Sequence, residues 1–98
     1  MNKDGIIAAY QARLEQAVDM VGEPEISTAD VDGLSLAVYE LKNAGDLHDA
    51  QKCKATHIAM RDKAVTDGDK HTARGLGWVI MAMSRLEQEY ASMEPAHV

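Results

Sequence analysis

The sequence predicts an all-α fold, a compact bundle of about four helices built around a long antiparallel helical hairpin. Two observations carry this. Apolar residues recur at spacings of three and four, and nowhere do they alternate with polar ones over five or more residues. Turn-forming residues break that pattern at Gly22-Glu23-Pro24, Asn43-Ala44-Gly45-Asp46 and Thr66-Asp67-Gly68-Asp69.

The first helix is expected from about Asp4 to Val21, with Ile6, Ile7, Tyr10, Leu14, Ala17, Val18 and Val21 on one arc and Gly22 as its stop. Ser27 or Thr28 can cap the second, whose core side would be Val31, Leu34, Ala37, Val38 and Leu41. Leu36 and Tyr39 point away from that stripe, and Gly45 stands where a left-handed C-terminal residue is wanted. A third helix after Asp46 reaches about Val65, with Leu47, Ala50, Cys53, His57, Met60, Ala64 and Val65 on one broad side. The fourth runs from about Asp69 to Tyr90 and presents Leu76, Val79, Ile80, Met83, Leu86 and Tyr90 to the core. The short turn at Asp67-Gly68 between two helices of about 20 residues makes a hairpin roughly 30 Å long. Residues 91–98 are expected to fray.

Gly45-Asp46-Leu47-His48-Asp49-Ala50 returns as Gly68-Asp69-Lys70-His71-Thr72-Ala73. Shared capping chemistry explains this better than a repeat unit, because common two-helix repeats run about 34 residues.

Length and composition limit what the chain can be. Its 98 residues, 46% hydrophobic but with no Phe and 4% aromatic, suit one small helical domain, 1–98, with a core of aliphatic residues and alanine. The one cysteine, Cys53, allows no intrachain disulfide and fits a reducing compartment. No apolar run approaches the roughly 20 residues that span a bilayer, and the amino end lacks a basic segment leading into an apolar one. The expected location is cytoplasmic, or the host cytoplasm for a phage-encoded protein, with no membrane partner.

Reaction chemistry is hard to find. Thr28-Ala29-Asp30-Val31-Asp32-Gly33 resembles the start of a calcium loop, but the twelfth position is Tyr39 where a bidentate Glu is required. Asp49, Cys53 and His57 recur every four residues on helix three, which suggests a metal or a Cys–His nucleophile. Only two of them are strong ligands, however, and no Cys-x-x-Cys or His-Glu-x-x-His element supports them. No metal, no cofactor and no catalytic residue is therefore expected. Gly75 and Gly77 interrupt a helical pattern, at a cost of roughly 1 kcal/mol each, and mark a place where another helix or a partner comes close.

Charge is unevenly distributed. The formal charge is −6, but residues 1–50 carry three basic and ten acidic side chains, whereas 52–85 carry seven basic and three acidic. Internal neutralisation is the first explanation, and contact with nucleic acid through the basic hairpin 52–85 is the alternative. Helix four holds the sharpest anomaly, because Arg74, Trp78, Met81 and Arg85 fall opposite its core stripe. Trp and Arg often dominate binding energy at interfaces, and Met adapts to irregular surfaces. These four residues are the expected protein-binding face, for a protein partner or for a homo-oligomer. The expected function is non-enzymatic: a small acidic adaptor, or a stoichiometric inhibitor or regulator of a protein complex, of the kind phages and mobile elements encode.

Overall fold

The computed structural model describes residues 2–23 and 26–93. These contain four helices and no strand: α1 (Lys3–Met20), α2 (Thr28–Asn43), α3 (Leu47–Thr66) and α4 (Lys70–Met93). The all-α reading is correct, and each boundary lies within a few residues of its expected place. Helix α4 continues through Met93, so residues 91–93 are helical rather than frayed. The rest of the expected tail, 94–98, lies outside the described residues.

Side-chain caps start α1, α3 and α4. Asn2 receives the Gly5 N–H at 2.8 Å, Asp46 the Asp49 N–H at 2.8 Å, and Asp69 the Thr72 N–H at 3.1 Å. The repeated Gly-Asp segments thus share their N-capping chemistry. They differ at the glycine. Gly68 takes a φ of 76° in the α3–α4 turn, whereas Gly45 is not left-handed. Helix α2 instead closes with the Ala44 N–H on the Glu40 carbonyl, and the Gly45 N–H goes to Asp49 Oδ2 at 3.1 Å.

Helix α4 touches all three other helices, α1 is backed mainly by α2, and α2 and α3 each lean on α4 rather than on one another. The result is flat, 51 × 30 × 18 Å, with a radius of gyration of 14.3 Å. A compact chain of this length would have a radius near 12.5 Å, by about 2.2·N^0.38.

Flatness narrows the buried faces. In α4 every expected core residue from Leu76 to Leu86 is buried, because that helix has neighbours on several sides. In α1 only Ile6, Tyr10 and Ala17 are buried, and Val18 and Val21 are about half exposed, at 50% and 45%. In α3 the buried residues are Ala50, His57 and Ala64, while Met60 and Val65 stand in water. A helix with one principal neighbour can bury only a thin stripe.

Two contacts fix the arrangement. At the α2–α4 crossing Gly33 meets Gly75 with no side chain between them. At the other end, the carbonyl of Ala44 accepts from Lys3 Nζ at 2.9 Å and from the Tyr90 hydroxyl at 2.6 Å, joining α1, the end of α2 and α4.

Candidate functional site

Asp30 is the third residue of α2, and its N-terminal place comes from the Ser27-x-x-Asp30 spacing of a capping box. Its Oδ2 accepts the Ser27 N–H at 3.0 Å. Burial at 2% exposure would normally oppose a carboxylate charge. Here three further donors converge. Arg74 supplies Nε to Oδ1 at 2.8 Å and Nη2 to Oδ2 at 2.9 Å, and the Trp78 indole N–H reaches Oδ1 at 2.9 Å. The Arg74 bonds first, with help from Ser27 and Trp78, outweigh burial and bring the Asp30 pKa down to about 2. The guanidinium of Arg13 lies 5.8 Å from the centre of the Trp78 ring, within cation–π range.

This divides the expected outer face of α4. Arg74 and Trp78 turn toward α2 and hold Asp30, so half of the predicted set is committed inside the chain. Met81 and Arg85 line a groove of about 500 Å³ between α1 and α4, with Ile6, Tyr10 and Arg13 from the first helix and Ile80 beside them. The groove exists because α1 lies on α2 and covers α4 incompletely. Met81 is 54% exposed. Sequence spacing missed Arg13, which sits three residues beyond Tyr10 on the edge of the α1 stripe. It also met Asp30 only as part of a calcium loop that fails.

The Asp49, Cys53 and His57 series is placed differently again. Asp49 turns back to Gly45 and does not join the other two. Glu40 of α2 takes its place: its Oε2 lies 3.1 Å from Cys53 Sγ, which in turn lies 3.5 Å from His57 Nδ1. Burial, then the hydrogen bond to Glu40 and its charge, push the Cys53 thiol up to about 12. A thiol so held is a poor nucleophile. These side chains border a cavity of about 290 Å³ that Asp49 and Lys52 also line.

Three of the hairpin's seven positive side chains face carboxylates. Lys54 lies 3.5 Å from Glu87, Lys63 pairs with Asp67 at 2.6 Å, and Arg74 is bound to Asp30. Among the described residues no helix is long and apolar enough to cross a membrane. The chain matches no protein-family model, no curated protein and no solved structure.

Proposed function

We propose that this chain is a non-enzymatic protein-binding module, an adaptor or stoichiometric regulator that receives an acidic, apolar segment of a protein partner in the α1–α4 groove. The observation that supports this is an apolar groove flanked by Arg13 and Arg85 on a molecule whose formal charge is −6. The Arg13 guanidinium at this groove favours a negative partner. Met81 supplies an adaptable contact in it. Arg74 and Trp78 support the groove indirectly, because they fix α4 against α2. The ion pairs of Lys54, Lys63 and Arg74 weigh against the nucleic-acid alternative, since cations already facing carboxylates contribute little to phosphate binding.

The test is affinity capture from the native cell, with wild type compared with Met81→Asp and with Arg85→Glu. A protein retained by the wild type and lost with both variants supports the groove. Retention by variants that are folded and otherwise unchanged removes it. Sedimentation of the wild type and Met81→Asp identifies the case in which the partner is a second copy.

A further inference from the structure

We propose that Glu40 of α2 and Cys53 and His57 of α3 form a site for one divalent metal ion of the zinc class, bound between the two helices with its fourth position open to the adjoining cavity. The site is independent of the α1–α4 groove.

Cys53 and His57 are four residues apart, so a helix places both on one face. Their Sγ and Nδ1 atoms are 3.5 Å apart. Tetrahedral zinc with bonds of about 2.3 Å to sulfur and 2.0–2.1 Å to nitrogen requires a ligand separation of about 3.5 Å. Glu40 Oε2 is 3.1 Å from the same sulfur, a few tenths of an ångström short of the corresponding sulfur–oxygen edge, and its side chain is long enough to adjust. Donor atoms of all three residues lie within 4.8 Å of one another. Thiolate, imidazole and carboxylate together suit zinc or a similar transition ion, while magnesium and calcium prefer all-oxygen sets. Three protein ligands with one open position is an arrangement tetrahedral zinc commonly adopts.

In the structure the Cys53 thiol donates to Glu40, and His57 Nδ1 lies 2.7 Å from the Cys53 carbonyl. An ion would replace the thiol proton: the S–H bond breaks, a metal–sulfur bond forms, and one proton leaves to solvent. For Nδ1 to coordinate, its own proton must shift to Nε2. The shared Cys53 carbonyl then gives up a side-chain contact. The benefit is mechanical, because α2 and α3 otherwise lean on α4 and share only the thiol–carboxylate bond here. The ion would replace that bond with coordination from both helices.

Cobalt(II) and zinc(II) titrations of the purified chain test this. The expected result is one ion per chain, with a thiolate-to-cobalt charge-transfer band in the near ultraviolet. Close to one proton should be released per ion, read in two buffers of different ionisation enthalpy. Zinc should raise the urea midpoint of the wild type. Cys53→Ser should abolish the band, and Glu40→Gln, which keeps the side-chain volume, should weaken zinc binding about tenfold or more. His48→Gln and His71→Gln, outside the site, should leave it unchanged. Absence of saturable binding would overturn the assignment, as would affinity unaltered in Glu40→Gln and Cys53→Ser, or affinity lost only with the two outer histidines.

Discussion

Gly33 of α2 and Gly75 of α4 meet backbone to backbone, so closely that a Cβ on Gly33 would stand 2.6 Å from the Gly75 Cα. Gly77, one turn-half further along α4, has nothing within 4 Å of the same hypothetical atom. Two glycines that look alike in the sequence therefore do different things.

Gly33→Ala is expected to destabilise the fold by about 3 kcal/mol, since the clash is with backbone that cannot rotate away and exceeds the roughly 1 kcal/mol gained in helix propensity. Gly77→Ala is expected to stabilise by about 0.5–1 kcal/mol, because the propensity gain meets no obstacle. Urea denaturation of both variants checks the pair. Equal effects would mean that α2 and α4 cross with room for a methyl group at Gly33.

Asp30 is expected to contribute to the acid limb of stability. Its folded-state pKa, about 2, lies below the ordinary carboxylate value of 3.8. The stabilisation is therefore fully present above about pH 4 and is lost as pH falls through about 2. Its size is at most on the order of 2 kcal/mol, since Arg74 remains partly in water. Arg74→Met should lower stability at neutral pH and flatten this acid limb. Urea midpoints measured from pH 2 to pH 7 on both proteins show whether it does.

Trp78 and Met81 should separate folding from binding. Trp78→Phe keeps most of the ring but removes the donor to Asp30, and is expected to cost about 1–3 kcal/mol of stability, since the bond is to a charged group. Met81→Asp, at a half-exposed position, should cost less than about 1 kcal/mol. Chemical denaturation provides the comparison. A larger loss at Met81 would place it in the core and withdraw it from the groove.

Tyr90→Phe removes the hydroxyl bond to the Ala44 carbonyl, which still accepts from Lys3. The acceptor is not orphaned, so the expected loss is modest, about 0.5–1.5 kcal/mol. Thermal melts of Tyr90→Phe and of the double variant Lys3→Met, Tyr90→Phe measure the difference. The double variant should lose more than the two single variants together.

Helix boundaries and the α4 stripe were legible from spacing and capping alone, because Leu76, Val79, Ile80, Met83 and Leu86 meet neighbours on several sides. Val18, Met60 and Val65 were misplaced for one reason. Periodicity identifies the apolar side of a helix, but how wide a stripe is covered depends on how many helices lie against it. The same limit divided the expected binding face: the Arg74–Trp78 spacing is visible in the chain, but the carboxylate that holds both lies 44 positions from Arg74. Glu40 was equally hidden, since nothing local connects it to Cys53, 13 residues away on another helix.

Helix α3 rests on the remainder of the molecule through a row of small side chains, Ala50 and Ala64 with His57 between them. Alanine contributes little apolar area on burial, so lifting this helix away from α4 is expected to cost less than global unfolding. Native-state hydrogen exchange would register it as a separate cooperative unit, with amides of α3 exchanging ahead of those at the Gly33–Gly75 crossing. On that expectation the molecule has a stiff half and an opening half, with Cys53 and His57 on the half that opens.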